Sequence, residues 1–157
     1  MNLFYIDKDP KIAAQNQCDK HTLKMILETA QMLSTAHHEF NSSVKDHVYK
    51  PTHRNHPSTK WLRSSAESYF WGFKHLYYLC REYTHRYGKV HKTSDLLPLL
   101  GCIPKGLDKT YGWQDPPQCM YDECKDPDTI TAYRNYYRVR RNEIDMRWTN
   151  REIPAWL

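Results

Sequence analysis

The sequence predicts a single, compact all-α domain with three main helices, a long irregular loop and an aromatic C-terminal tail. Two long segments carry apolar residues at the three- and four-residue spacing of an amphipathic helix, and no pair of segments alternates as paired strands do. The chain of 157 residues contains 4 Phe, 5 Trp and 12 Tyr, which supply a core although 26% of the residues are charged. A chain of this length corresponds to one domain, and neither a repeat nor a linker divides residues 1–157.

The first main helix is predicted over roughly 10–38. It follows Asp9 and Pro10, an N-cap residue with proline at the first helical position. Its apolar face is expected in the core and consists of Leu23, Ile26, Leu27, Ala30 and Leu33. The second main helix is predicted over roughly 58–87, and Gly88 stands where a C-terminal cap belongs.

The pattern weakens in the last third of the chain. A short helix is predicted over 94–100, and the proline-rich segment 101–127 is predicted as a loop of unusual length. A last helix is predicted over about 128–146, because Asp-Pro precedes it and apolar residues return at helical spacing. The aromatic tail follows over 148–156.

The net charge of +5 is concentrated in the middle of the chain. Residues 45–92 contain ten Lys and Arg against three Asp and Glu, and also six of the nine histidines. Clustered cations gain affinity for a polyanion by releasing the counterions condensed on its phosphates. The pattern therefore favours a nucleic-acid partner, with a solvated basic face as the alternative.

Targeting and redox features point to a cytoplasmic location. The start of the chain has neither the basic nor the apolar region of a signal peptide, and no stretch approaches about 18 consecutive apolar residues. The five cysteines are odd in number and form no disulfide framework, which favours reduced thiols. Cys119 and Cys124 have no second ligand pair at a suitable spacing. Neither a membrane, a metal nor a cofactor is therefore expected.

A polar stripe runs along the first predicted helix. His21, Lys24 and Glu28 belong to it, since steps of three and four residues keep side chains on one helix face. A glutamate beside cations can steady a developing positive charge or move a proton. The stripe therefore predicts a catalytic group, and an ordinary solvated face is the alternative.

A turn rich in hydrogen-bonding groups, Thr-His-Arg-Asn-His-Pro at 52–57, precedes the second helix. The first amides of a helix have no internal partners and attract anions, so His56 is expected to bind phosphate or to shuttle protons there. The alternative is a turn with a purely structural role. The residues predicted to contact phosphates or to stack on bases lie mostly in the basic middle of the chain: Lys20, His53, Arg54, Asn55, Lys60, Trp61, Arg63, Arg86 and Lys89.

Three segments resemble a group of small proteins that is frequent in phages. These segments are Asp-Lys-His to Leu-Glu at 19–28, the turn at 52–57, and Glu-Tyr-Thr-x-Arg-Tyr-Gly-Lys at 82–89. More distantly, the first helix resembles that of the pyrimidine-dimer DNA glycosylases of the endonuclease V type. In those proteins an Asp-x-His is followed seven residues later by Glu, here Asp19, His21 and Glu28.

This resemblance implies a small all-α enzyme that is both a glycosylase and a lyase. Its N-terminal amine attacks the sugar C1′ to form an imine, a Glu steadies the cationic intermediate, and a base is flipped out of a kinked duplex. The leading hypothesis is therefore an enzyme acting on damaged or modified bases in duplex or distorted DNA, with catalytic residues Glu28, His21, Lys24 and His56. The alternatives are a non-enzymatic binder of a nucleotide or anionic signal molecule, and a protein-interaction module.

Overall fold

Helices form all the regular secondary structure of the computed structural model, which describes residues 1–157. The six α-helices are α1 (Pro10–Asn16), α2 (Asp19–Glu39), α3 (Pro57–Leu62), α4 (Ala66–Tyr87), α5 (Leu97–Leu100) and α6 (Thr129–Arg140). Short 3₁₀ helices cover Lys45–His47, Lys92–Leu96, Leu107–Lys109 and Asp122–Cys124. The chain has no strand, so the predicted all-α fold is confirmed.

The first predicted helix is divided into α1 and α2, and in this respect the prediction was wrong. Gln17 and Cys18 adopt extended backbone and are fully buried at the bend. The side chain of Gln17 lies 2.9 Å from the ring of His75 on α4. This contact and the burial of the bend direct α1 across α4, whereas a continuous helix would project away from the core.

The second predicted helix is likewise divided, into α3 and α4. Ser65 begins α4 as its N-cap and accepts a hydrogen bond from the backbone N–H of Ser68, at 3.1 Å. The N–H of Ala66 donates to the carbonyl of Thr110, at 2.7 Å, which ties the break to the loop. Gly88 has φ 64° and its N–H donates to the carbonyl of Thr84, as predicted for a C-terminal cap.

The C-terminal third is also more broken than predicted. The predicted helix over 94–100 is a 3₁₀ helix that continues into α5, and α6 ends at Arg140 rather than near 146. The carbonyl of Arg140 accepts hydrogen bonds from the N–H groups of Glu143 and Ile144, which close a turn after the helix. The predicted loop over 101–127 contains two of the 3₁₀ helices.

The core lies between α2 and α4, and α1 crosses α4 beside it. The N-terminal segment Leu3–Ile6 is almost fully buried, together with Tyr133 and Tyr137 of α6. No helix has the length and apolarity needed to cross a bilayer. The side of α2 that faces away from the core is exposed and lines a cavity.

Candidate active site

A tight turn at the start of the chain fixes the position of the N-terminal amine. The side-chain oxygen of Asn2 accepts hydrogen bonds from the N–H groups of Leu3 and Phe4, at 2.7 and 3.2 Å. The amide nitrogen of Asn2 donates to the carbonyl of Cys119, at 3.1 Å. Such side-chain bonds to the following backbone are characteristic of Asn in turns, and here they direct Met1 back towards α2.

Phe4 holds this turn in a strained conformation. Its φ of 48° lies in the left-handed region, which costs a residue with a Cβ roughly 1–2 kcal/mol. The ring is buried, stacks on His21 at a centroid separation of 4.1 Å and meets the edge of Tyr137. These packing contacts stabilise the strained turn, and the amine is therefore held in place by the core.

Glu28 lies between two ammonium groups. One of its oxygens is 3.6 Å from the amine of Met1, and the other is 3.5 Å from Nζ of Lys24. The oxygen that faces the amine is buried and accepts no hydrogen bond from the protein, because 3.6 Å exceeds hydrogen-bond distance. Glu28 thus offers a free acceptor beside a primary amine, in a cleft where only a sixth of its side chain is exposed.

His56 completes the cluster from the histidine-rich turn. Its Nδ1 accepts a hydrogen bond from the N–H of Ser58, at 3.2 Å, so the proton of the neutral ring lies on Nε2. Burial lowers the pKa of His56, and the nearby N-terminal ammonium and His53 lower it further, while Glu28 opposes the shift. His56 is therefore close enough to sense the charges of both the amine and Glu28.

The segment before this turn is fastened along α2. The N–H of Tyr49 donates to the hydroxyl of Ser34, at 3.3 Å. The N–H of Thr52 donates to the hydroxyl of Thr35, at 3.1 Å, and the same hydroxyl donates back to the carbonyl of Thr52. Hydroxyls on α2 therefore set the path of the chain that brings His56 to Glu28.

A cavity of about 750 Å³ opens beside Glu28 on the exposed side of α2. Leu23 and Leu27 form an apolar wall and are each more than two-fifths exposed, so the prediction that they lie in the core was wrong. Polar and charged groups surround it, among them Lys24, Gln31, His91 and Lys92. The cavity can accept a flat, partly apolar and partly anionic ligand of nucleotide size.

His21 does not join the cluster around Glu28. It is buried under Phe4, and its Nδ1 lies 2.7 Å from the hydroxyl of Tyr137. Burial lowers its pKa to about 4, with smaller contributions from Lys24 and two other cations. The catalytic role predicted for His21 is therefore replaced by a structural one, since its ring supports Phe4 and the N-terminal turn.

The basic residues of the turn and helices divide into exposed and enclosed ones. Arg54 is exposed and pairs with Glu39 at 3.1 Å, while Arg63 is half-buried and donates to the carbonyl of Arg54. Several of the residues predicted to contact phosphate are exposed: Lys20, His53, Asn55, Lys60 and Lys89.

Arg86 and Trp61 are buried, so the prediction that they contact DNA was wrong. The guanidinium of Arg86 has no exposed surface and is bound at 2.8 Å by both Asp19 and Glu82. Trp61 is 7% exposed and donates from its indole nitrogen to the carbonyl of Gln114. A buried ion pair and a core tryptophan are not free to contact a ligand.

The second wall of the cavity was not predicted from the sequence. His91, residues of the 3₁₀ helix Lys92–Leu96 and Tyr49 line the cavity together with α2. No local motif marks these residues, since their position depends on where α4 ends and how the chain returns. Only the basic charge of the middle of the chain pointed to this region.

Comparison with protein-family models matches residues 1–95, which contain the amine, Glu28 and His56, to the pyrimidine dimer DNA glycosylases. The matched segment is more than half of the chain. Comparison with curated proteins and with solved structures gave no match. The predicted resemblance to these glycosylases is confirmed, and at the family level the function is of the DNA glycosylase type. The chain therefore belongs to the pyrimidine dimer DNA glycosylase family.

Proposed function

We propose that the protein is a DNA glycosylase with lyase activity, acting on an altered base through its N-terminal amine and Glu28. The observation that carries the proposal is the 3.6 Å separation between the Met1 amine and a buried, unpartnered oxygen of Glu28. A primary amine is an effective nucleophile toward the sugar C1′, and an adjacent carboxylate can stabilise the cation that develops there. Family membership supports DNA as the substrate.

The proposed reaction releases the base, forms an imine, cleaves the strand and then hydrolyses the imine. The amine bonds to C1′ as the bond between base and sugar breaks, and the base leaves with the electron pair and takes up a proton. The nitrogen then loses a proton and the C1′–O4′ bond breaks, so the sugar ring opens, O4′ takes up a proton and an imine remains between the amine and C1′. Loss of a C2′ proton then breaks the C3′–O bond, and the strand on the 3′ side leaves with a 5′-terminal phosphate. Water hydrolyses the imine and restores the amine.

Each member of the cluster has a proposed role in these steps. Glu28 stabilises the cationic sugar and accepts the proton from C2′, since its oxygen is free and close to the amine. His56 presents an Nε2–H that can donate to the departing base or to a phosphate oxygen. Lys24, whose side chain is 63% exposed, binds the phosphate next to the reacting sugar.

The cavity beside Glu28 is proposed to receive an unstacked base. Leu23 and Leu27 would cover its flat faces, and Gln31 offers both a donor and an acceptor for its edge. The exposed cations of the turn, including His53 and Lys60, would hold the backbone on either side.

The test is reductive trapping with borohydride on a duplex that contains an abasic site. The abasic site removes base recognition, so a trapped covalent adduct depends only on the amine and its neighbours. We expect an adduct with the unmodified protein and none after acetylation of its N-terminus. Duplexes with a pyrimidine dimer, uracil or an undamaged sequence then identify the base that is released.

Two substitutions distinguish the role of Glu28 from that of Lys24, its neighbour on α2. Glu28→Gln keeps the shape but removes the charge, and we expect a loss of roughly 10²–10⁴ in strand cleavage. Lys24→Ala removes the other ammonium beside Glu28, and we expect weaker and less salt-dependent DNA binding with a trappable adduct retained. Adduct formation by the acetylated protein would contradict the proposal.

The cavity also supports a second candidate, the binding of a small nucleotide without catalysis. Its volume of about 750 Å³ and the nearby Lys24 and Lys92 suit one nucleotide. Nucleotide affinity would depend much less on salt than duplex affinity, because few phosphates are neutralised. Titration of both ligands at two salt concentrations distinguishes the two functions.

A further inference from the structure

The outer face of α4 carries a stripe of exposed aromatic and basic side chains. Its members follow one another at steps of four, three, four and four residues, which keeps them on one helix face: Phe70, Lys74, Tyr77, Arg81 and His85. All five are exposed, with Phe70 at 41% and Tyr77 at 38%. From Phe70 to His85 the stripe extends about 22 Å along the helix.

The stripe points away from the candidate active site. The opposite face of α4 is buried and includes Tyr69, Leu76 and Leu79 in the core shared with α2. Glu28 lines the cavity between α2 and the 3₁₀ helix Lys92–Leu96, and none of the five stripe residues lines that cavity. Residues of the same 3₁₀ helix line this cavity and one of the cavities of α4, which are therefore distinct sites. The outer face of α4 is thus a different surface from the catalytic one.

Tyr77 stands at the centre of three neighbouring cavities. One of about 610 Å³ includes Phe73 and Lys74, and a second of about 520 Å³ includes Lys11 and Arg81. The third, of about 360 Å³, lies between Arg81 and the 3₁₀ helix Lys92–Leu96. Tyr77 therefore lines three concave sites, each of a size that suits a single base or phosphate.

The charge of this surface is positive. Lys11, Lys74 and Arg81 are exposed, and the guanidinium of Arg81 lies 5.8 Å from the ring centroid of Tyr77. The nearby acid Glu82 is buried, and hydrogen bonds of 2.8–2.9 Å from Arg86 and Arg151 satisfy its oxygens. The only other acid that borders the cavities is Asp9, which caps α1 by accepting from the N–H of Lys11.

We infer that the outer face of α4 is a second nucleic-acid site, which binds a single strand by stacking bases on Tyr77 and Phe70 and pairing phosphates with Lys74 and Arg81. Partly exposed aromatic rings interleaved with cations are the combination that unpaired bases use, since every base has a flat face to stack. An intact duplex would use the cations but leave the exposed rings without a partner. The surface would hold displaced or neighbouring single strand while the other side of the molecule acts on the lesion.

The test measures binding of a fluorescently labelled oligothymidylate by the full chain. Thymidylate cannot pair with itself and carries no lesion, so it reports single-strand binding. Tyr77→Ala is expected to weaken binding roughly 5- to 150-fold, because one stacking contact is lost. Arg81→Ala is expected to reduce the dependence of affinity on salt by about one phosphate contact.

Controls separate this surface from the catalytic site. Tyr111→Ala removes another tyrosine, which is 74% exposed. The N–H of the neighbouring Gly112 donates to the carboxylate of Glu67, so Tyr111 lies near a negative charge and its removal should leave binding unchanged. Tyr77→Ala should still form the trapped adduct on a short abasic duplex, which also shows that the variant is folded. Wild-type affinity in both α4 variants would overturn the inference. Equal competition by polyglutamate would also overturn it, since the surface would then be a site for acidic peptides.

Discussion

Asn2 is a positioning residue, because its side chain shapes the turn that presents the amine. Its oxygen holds the backbone of Leu3 and Phe4, and its nitrogen holds the carbonyl of Cys119. None of these bonds involves the reacting atoms. The separation of 3.6 Å between the amine and Glu28 therefore depends on a side chain that takes no part in the chemistry.

Asn2→Ala should slow formation of the trapped adduct by about tenfold or more, since small displacements of a reacting group are costly. Asn2→Asp retains the oxygen that accepts from Leu3 and Phe4 and loses only the bond to Cys119, so it should be slowed less. Single-turnover trapping rates on an abasic duplex measure both. Equal rates for Asn2→Ala and the unmodified chain would show that the turn does not position the amine.

The candidate site was predictable from sequence only where local spacing determines it. Lys24 and Glu28 are four residues apart on one helix, so their contact follows from helix geometry. His21 lies on the same helix face by its spacing, yet it is buried because Phe4 stacks on its ring and Tyr137, more than a hundred residues later, hydrogen bonds to it. Local periodicity cannot report such a long-range contact.

At the scale of elements, the helix caps were predictable and the helix breaks were not. Pro10 and Gly88 begin and end helices as expected, because proline and glycine restrict or permit particular backbone angles. The bend at Gln17 and Cys18 contains neither residue type. It exists because a tertiary contact with His75 and burial of the bend outweigh the helical preference of the local sequence.

Gly88→Ala tests the cap at the end of α4. Gly88 has a positive φ of 64°, and an added Cβ would meet nothing within 4 Å, so the cost is backbone strain alone. We expect a loss of about 1 kcal/mol in unfolding free energy, measured by urea denaturation. Gly88→Asn should lose less, because Asn tolerates the left-handed region better. An unchanged denaturation midpoint for Gly88→Ala would argue against this cap.

At the scale of the molecule, the C-terminal part outside the family match holds the N-terminal segment in place. Arg134 of α6 donates to the carbonyl of Ile6, at 3.0 Å, and Tyr137 packs against Phe4. Thr149 donates to Asp19 at the start of α2. The catalytic cluster lies within residues 1–95, but the segment after it fixes the geometry of that cluster.

Buried histidines should make the stability of the whole fold depend on pH. Burial lowers the pKa of His21, His37 and His75 to about 4 in the folded protein. The unfolded chain takes up these protons near pH 6.5, so the unfolding free energy should fall as the pH drops from about 6.5 towards 4. The slope is at most about 1.4 kcal/mol per pH unit for each histidine.

Denaturation at several pH values between 7 and 5 measures this slope. The carboxylates of Asp19 and Glu82 titrate at a lower pH than these histidines. Burial favours the neutral form of each carboxylate, but hydrogen bonds from Thr149 to Asp19 and from Arg151 to Glu82 outweigh burial and lower the pKa of each. Their contribution is lost only at more acidic pH. His75→Gln should show a shallower slope, and a flat profile in the unmodified chain would show that these histidines are not neutral in the folded state.

Mass spectrometry of the borohydride-reduced adduct identifies the nucleophilic amine most directly, because it locates the residue that carries the trapped sugar. An α-amino group is less basic than a lysine side chain, so more of it is in the nucleophilic neutral form near pH 7. We predict that the adduct lies on the α-amine of the N-terminal peptide, with Met1 as its first residue. An adduct on the side chain of Lys24, which is equally near Glu28, would contradict it.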